Sequence, residues 1–124
     1  MGDDAHMPRT AVIVDDHAHF RASARAMLEL EGFDVVGEAA DGSAGVALVE
    51  QLEPELVLVD VSLPDLSGFE VARRLAPGPA DVVLVSSRDA PDYGSHAEQS
   101  GARGFIPKDK LDGPSLAKLL EDGR

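Results

Sequence analysis

The chain has 124 residues, of which 44% are hydrophobic and 27% charged, and it contains no cysteine. Such a length and composition are typical of one soluble domain with a single core. The absence of cysteine excludes disulfides, thiolate metal sites and cysteine nucleophiles. The formal net charge of −12 disfavours direct nucleic-acid binding by this chain, because an acidic surface repels phosphates. No apolar run could span a bilayer and no signal-peptide pattern opens the chain, so we expect a cytoplasmic protein without a membrane partner.

Five short apolar runs are predicted to form strands. Residues 1–10 precede them and are polar, so we interpret that segment as a disordered lead-in or tag remnant, with the domain itself at 11–122. The third and fourth runs are rich in valine and leucine at both odd and even positions. That pattern is typical of strands buried on both faces of a parallel sheet. The five runs are Ala11–Val14, Asp34–Gly37, Leu56–Val59, Asp81–Val85 and Gly104–Ile106.

A helical pattern follows each predicted strand. The first helix ends before Gly32, the second ends before Pro54, and the fourth is weakened by Gly94. Strands that alternate with helices predict an α/β fold, with a doubly wound parallel sheet and helices on both faces. The apolar faces of three helices are Phe20, Ala24, Met27 and Leu28; Gly45, Leu48, Val49 and Leu52; and Leu116, Leu119 and Leu120. The third to fifth helices are predicted at Phe69–Leu75, Tyr93–Ser100 and Pro114–Glu121.

Polar side chains follow four of the five predicted strands, at the sheet edge where ligands bind in this class of fold. Taken singly, each has a plainer interpretation: an aspartate caps a helix or turn, a serine is satisfied locally and a lysine is solvated. Taken together, three neighbouring carboxylates repel one another, and such a cluster persists with a cation to neutralise it. The residues are Asp15 and Asp16 after the first strand, Asp60 after the third, Ser86 after the fourth and Lys108 after the fifth.

The cation that suits this cluster is Mg²⁺, which prefers oxygen ligands. Zinc is disfavoured, because the chain has no cysteine and His17 offers a single imidazole. If the acids after the first and third strands share a metal, those strands must be neighbours. We therefore predict a five-stranded sheet with the order 2-1-3-4-5.

Four segments, taken in chain order, resemble bacterial two-component response-regulator receiver domains. The likeness runs from about Ala11 to Leu120. Together with VGEA at 36–39, the segments look closest to receivers that carry a LuxR-type helix-turn-helix output domain. The resemblance implies the flavodoxin-like receiver fold. The four segments are VIVDDH at 12–17, VLVDVSLPDLSG at 57–68, VSS at 85–87 and GARGFIPKD at 101–109.

The resemblance also implies a role for each polar residue at the sheet edge. Asp60 would be the phosphoacceptor, and Lys108 would pair with the phosphoryl group. Ser86 would move to a phosphoryl oxygen, and Phe105 would occupy the aromatic switch position. The implied Mg²⁺ ligands are Asp15, Asp16, Asp60 and the backbone carbonyl of Ser62.

The implied function is signalling. The domain would take a phosphoryl group from a sensor histidine kinase, assist its own phosphorylation and dephosphorylation, and switch conformation to control an output, expected to be transcription. A homodimer is left open, as is whether the chain is a fragment of a longer regulator or a stand-alone receiver.

Three other functions were weighed. A phosphorylation-independent interaction module of the same fold remains the alternative. An aspartyl-phosphate hydrolase is disfavoured, because Ser62 stands where such enzymes place a second aspartate. A dinucleotide binder is disfavoured, because no glycine-rich phosphate motif follows a strand.

Overall fold

The computed structural model describes residues 9–88 and 90–121. Strands and helices alternate along the chain, and the type and order of every predicted element are confirmed. The strands are β1 (Arg9–Val14), β2 (Phe33–Ala39), β3 (Leu56–Asp60), β4 (Asp81–Ser86) and β5 (Gly104–Pro107). The helices are α1 (Ala18–Leu30), α2 (Gly42–Leu52), α3 (Gly68–Leu75), α4 (Tyr93–Gln99) and α5 (Gly113–Glu121).

The start of β1 corrects the predicted lead-in at residues 1–10, because Arg9 and Thr10 belong to the sheet. Arg9 pairs with Phe33 of β2, and its guanidinium lies 5.3 Å from the centre of that ring. The same guanidinium is 3.1 Å from the Glu55 carboxylate. The side chains of Arg9 and Thr10 thus remain partly exposed although their backbone belongs to the sheet. The apolar pattern used to predict strands therefore missed the first two residues of β1. Residues 1–8, and the predicted end of the domain at 122, lie outside the described residues.

The five strands form one parallel sheet in the order β2-β1-β3-β4-β5, which confirms the predicted topology. Every residue of β3 is buried, as its unbroken apolar run predicted. Helices α1 and α5 pack on one face, and α2, α3 and α4 pack on the other. Because β1 has β2 on one side and β3 on the other, the chain reverses direction across the sheet there. A crevice at the carboxyl ends of β1 and β3 follows from this reversal.

Helix α1 illustrates how the sequence pattern defines the core. Ala24 and Leu28 are buried against the sheet, whereas Leu30 at the end of the helix is 86% exposed. The chain then turns through Gly32, whose φ of +92° lies in the left-handed region that glycine adopts without strain. The predicted end of the first helix at this glycine is therefore confirmed.

Replacing Leu28 with alanine is expected to lower the free energy of unfolding by about 2–5 kcal/mol, because the leucine is fully buried and its removal leaves a cavity. Urea denaturation followed by circular dichroism measures this loss. Leu30→Ala, on the same helix, is the matched control and should change stability by no more than about 0.5 kcal/mol. Similar losses in the two variants would contradict the assigned packing of α1.

Candidate functional site

The carboxyl ends of β1 and β3 bring the predicted acids together. Asp15 directly follows β1 and is fully buried, and Asp60 ends β3 and is 2% exposed. Asp16 is exposed beside them. The ligand atoms of these three carboxylates and of the His17 ring all lie within 4.8 Å of one another. The three acids proposed from the sequence therefore form one cluster at the sheet edge.

The two oxygens of the Asp15 carboxylate have different surroundings. Oδ1 accepts a hydrogen bond of 2.8 Å from the His17 backbone N–H, and the His17 Nδ1 atom lies 3.1 Å away. Oδ2 is buried and has no directed hydrogen-bond donor among the described residues. The Lys108 ammonium lies 2.7 Å from Oδ2, as an ion pair. A buried carboxylate oxygen with spare lone pairs, beside two further carboxylates, matches the oxygen donor set that Mg²⁺ requires.

Lys108 reaches the cluster from the end of β5, where a short 3₁₀ helix begins. Its ammonium is 2.7 Å from Asp15 and 3.6 Å from Asp60 Oδ2. The same ammonium lies 4.3 Å from the centre of the Phe20 ring, whose face attracts a cation. The lysine side chain is 14% exposed, and its ammonium lies against two carboxylates and one ring.

The environment of Asp60 disfavours its charged form. Burial is the largest cause that raises the pKa of its carboxyl above the ordinary range, and the nearby Asp15 carboxylate raises it further. Lys108 opposes this rise, as does the backbone N–H of Ser62, which donates to Asp60 Oδ1 over 3.3 Å. Burial and the neighbouring carboxylate together therefore outweigh the lysine and the backbone N–H at this site.

The loop between β3 and α3 carries Ser62 and is tightly folded. Ser62 pairs with Ser67 as an antiparallel bridge, and the Ser67 hydroxyl accepts from the Glu70 N–H to cap α3. Gly68 then packs directly on the end of β3, where a Cβ atom would collide with the Asp60 carbonyl oxygen. The lack of a side chain at Gly68 allows the loop to return to the site.

Ser86 ends β4 and is 2% exposed. Its Oγ accepts a hydrogen bond of 3.0 Å from the Arg88 backbone N–H, and its hydroxyl donates no hydrogen bond to residues 9–88 or 90–121. Because Leu84 pairs with Phe105 in the sheet, Ser86 and Phe105 lie on the same face. Phe105 contacts Tyr93 of α4 edge to face, with ring centres 5.2 Å apart. The sequence indicated the serine and the phenylalanine but not the tyrosine.

The family model described as "Response regulator receiver domain" matches residues 11–121 of the chain. This chain belongs to that family. The resemblance inferred from the sequence is therefore confirmed over nearly the whole length.

Individual relatives of this receiver domain are regulators of transcription by name. It is 34% identical to the transcriptional regulatory protein DegU of Brevibacillus brevis over 113 residues, which cover 89% of this chain and 48% of DegU. It is 32% identical to the DNA-binding transcriptional activator EvgA of Escherichia coli K12, over 79% of this chain and 49% of EvgA. The receiver thus spans about half the length of the curated relatives it matches.

Solved structures agree with the fold of this receiver. The receiver domain of the response regulator NarL from Mycobacterium tuberculosis superposes with a TM-score of 0.82 at 33% identity, covering 95% of this chain and 99% of that one. A LuxR-family response regulator from Aurantimonas superposes with a TM-score of 0.82 at 28% identity, covering 92% of this chain and 83% of that one. The predicted likeness to LuxR-family receivers is confirmed. In the described ranges of this receiver, no helix combines the length and apolar character needed to cross a membrane.

Two residues near the receiver site were not singled out from the sequence. Phe20 was assigned to the apolar face of α1, and it does pack against the core, but its ring also lies under Lys108. Arg21 carried no motif, yet its side chain donates to the backbone carbonyl of Asp15 over 2.6 Å. A cation on the first turns of a helix that follows an acidic loop is the sequence signal for such a contact.

In the absence of divalent cations, Asp60→Asn is expected to raise the melting temperature by several degrees at neutral pH. The amide removes a buried charge whose pKa is raised in the folded state, so in the wild type stability falls as pH rises from the ordinary aspartate range through the folded pKa. The gain in the variant should shrink toward acidic pH, where the carboxyl is protonated in both states. Thermal melts between acidic and neutral pH measure this. Asp34→Asn, an exposed control on β2, should give no such gain.

Proposed function

We propose that this receiver accepts a phosphoryl group on Asp60 from a sensor histidine kinase, with Mg²⁺ at the acidic cluster, and that the modified domain switches conformation to control transcription. The observation that carries the proposal is the buried Asp60 carboxylate, with a lysine ammonium 3.6 Å from it and a second buried aspartate bound to the same lysine. A carboxylate at such a site is a competent acceptor when cations offset the charge of the incoming group.

The chemistry assigns a separate task to each side chain. An Asp60 oxygen attacks phosphorus as the P–N bond to the kinase histidine breaks, and an acyl phosphate is formed. Asp15 Oδ2, Asp16, Asp60 and the Ser62 carbonyl would hold Mg²⁺, which when bound supplies positive charge for the phosphoryl oxygens. Lys108 sits beside both buried aspartates and can follow the new charge, because an ammonium on a flexible stem acts as a mobile point charge.

The switch uses contacts that exist only after modification. The free Ser86 proton gains a charge-assisted hydrogen bond to a phosphoryl oxygen, typically worth about 1.5–3 kcal/mol. Movement of Ser86 changes the space beside Phe105 on the same face of the sheet, and the Phe105 ring contacts Tyr93 of α4. A contact that differs between two states is what shifts their equilibrium.

The remaining parts of the proposal follow from the relatives and from the charge. Because the matched region covers only 48% and 49% of two relatives that are transcription regulators, we assign the DNA contact to segments of such regulators beyond the receiver. The net charge of −12 agrees with this division. A cytoplasmic location, a homodimer formed in the modified state, and hydrolysis of the acyl phosphate assisted by the receiver itself belong to the same proposal.

Incubation with acetyl phosphate and Mg²⁺ is expected to add one phosphoryl group to the wild type and none to Asp60→Asn. The amide is almost the same shape but is a poor nucleophile. Intact-mass spectrometry at neutral pH and low temperature measures the addition, since acyl phosphates hydrolyse readily. Asp34→Asn, which removes an exposed carboxylate, should be labelled like the wild type. Labelling of Asp60→Asn at the wild-type level would overturn the assignment, and an unmodified wild type would favour the interaction module.

Mg²⁺ is expected to raise the melting temperature of the wild type, and Asp16→Ala should remove most of that rise. The cation relieves repulsion among three carboxylates and binds only the folded state, so at one hundred times its Kd it would stabilise by about 2.7 kcal/mol. Thermal melts with Mg²⁺ or with chelator provide the measurement. Asp34→Ala is the matched loss of an exposed acid and should keep the full response. Equal stabilisation of the wild type and Asp16→Ala would count against a metal site.

A further inference from the structure

We propose that Arg21 is a positioning residue of the metal site: it fixes the backbone of the Asp15–Asp16–His17 turn, and Glu38 fixes Arg21. This inference rests on the proposed function, because it concerns how the same acidic cluster is held ready for Mg²⁺.

Arg21 holds both ends of the turn. Its Nη1 donates a 2.6 Å hydrogen bond to the Asp15 carbonyl, and its backbone N–H donates to the His17 carbonyl over 3.0 Å. The side chain is 20% exposed, so the contact is largely shielded from water. The backbone bond to His17 is the first bond of the helix itself, so the contact specific to the arginine is the side-chain bond that restrains Asp15 at the start of the turn.

Glu38 of β2 orients the guanidinium. Its carboxylate accepts from Arg21 Nε at 3.0 Å and from Arg25 Nε, one turn further along α1, at 2.7 Å. The Arg25 and Arg21 guanidinium groups lower the pKa of Glu38, which keeps the carboxylate charged at neutral pH. The next residue of β2, Ala39, accepts from the Asp15 N–H over 3.0 Å. The end of β2 thus contacts Asp15 in two ways. Ala39 accepts from its amide directly, and Glu38 orients the Arg21 side chain that donates to its carbonyl.

The restraint matters because the Asp15 side chain is oriented by its backbone. With Oδ1 held by the His17 N–H, a fixed backbone aims the buried Oδ2 at the point where the carboxylates converge. Partners that orient a metal ligand typically contribute 10- to 100-fold to metal affinity. We therefore expect Arg21 to contribute on this scale although it is itself a cation.

The sign of the effect separates positioning from electrostatics. A guanidinium near the cluster repels Mg²⁺, so if charge alone mattered its removal would tighten binding. Positioning predicts the opposite, because the loop would lose the donor that orients Asp15. Arg25 provides the matched control: it shares the Glu38 partner on the same helix, but its contacts are with Glu38, Glu29 and the Val35 carbonyl rather than Asp15.

The test is the Kd for Mg²⁺, measured by isothermal titration calorimetry on the full chain. Arg21→Gln is expected to weaken binding by about 10- to 100-fold, and Arg25→Gln should keep the wild-type Kd. Arg21→Lys preserves the charge but lacks the planar fork that reaches two acceptors at once, so it should also bind more weakly than the wild type. Circular dichroism melts establish that each variant is folded at the titration temperature, and Arg21→Lys carries the test if the glutamine variant is not folded.

The outcomes are distinguishable. Wild-type affinity or tighter binding in a folded Arg21 variant overturns the positioning role and leaves the proposed function intact. An equal loss in Arg25→Gln also overturns it, since the effect would then belong to the Glu38 ion pairs as a whole. If the wild type binds no Mg²⁺, the metal part of the proposed function fails and the inference fails with it.

Discussion

Repulsion among carboxylates at the ends of β1 and β3 is the constraint on which the site depends. Asp15 and Asp60 are both buried, and Asp16 lies beside them, so their charges interact through a medium that screens poorly. Lys108 offsets part of this repulsion, while burial first and the Asp15 carboxylate second raise the pKa of Asp60. A fold that tolerates such a cluster must hold the carboxylates in place at a cost to its own stability, and such a cost is expected where a site is selected for function rather than for stability.

The loops around the cluster are anchored by side chains that take no part in the chemistry. Asp65, in the loop that carries Ser62, accepts from the backbone N–H groups of Gly42 and Ser43 at the start of α2. These hydrogen bonds, with that of Ser43 the largest, lower the pKa of Asp65 to about 2. The loop after β3 is thereby tied to α2, just as the loop after β1 is tied through Arg21 to β2. Both loops that carry the proposed metal ligands are thus held by elements outside the crevice.

Much of this arrangement can be predicted from the sequence. The hydrophobic pattern indicates the strands and helices, and the position of polar residues after the strands indicates the site. The buried run of β3 fixed the centre of the sheet, and the acids after β1 and β3 required those strands to be neighbours, so the strand order followed from chemistry as well as from pattern. The start of β1 at Arg9 could not be predicted from the sequence. Its pairing with β2 is made by the backbone, and a polar side chain gives no indication of a strand.

The contacts that the sequence did not predict are those that join distant segments through long side chains. Phe20 satisfied the helical apolar period, which concealed its second contact with Lys108. Arg21 and Glu38 are 17 residues apart, and nothing local indicates that a guanidinium from α1 reaches both a β2 carboxylate and a loop carbonyl. Periodicity reports which face a residue occupies, whereas such pairings depend on where the tips of long side chains meet.

The two sides of the site differ in how firmly their residues are restrained. On the β1 side, Asp15 is restrained at its amide, its carbonyl and one carboxylate oxygen. On the β4–β5 side, the Ser86 hydroxyl donates no hydrogen bond within the part of the chain that the structure describes, and the Phe105 ring contacts Tyr93 edge to face. Ring contacts of this kind are individually weak, on the order of 0.5–1.5 kcal/mol, and can be exchanged for others of similar strength.

This division is what a phosphorylation switch requires. In the proposed switch, the hydrogen bond that Ser86 would donate to a phosphoryl oxygen is at least as strong as the ring contact that it would disturb, so it could shift the balance on the β4–β5 side. Tyr93 also packs against Phe69 of α3, with ring centres 5.6 Å apart, so a rearrangement at Phe105 extends to two helices on one face. A hydrogen bond of the same strength on the β1 side would displace Asp15 little, because several hydrogen bonds would have to break together. Under the proposed function, the rigid β1 side would direct the response toward α3 and α4.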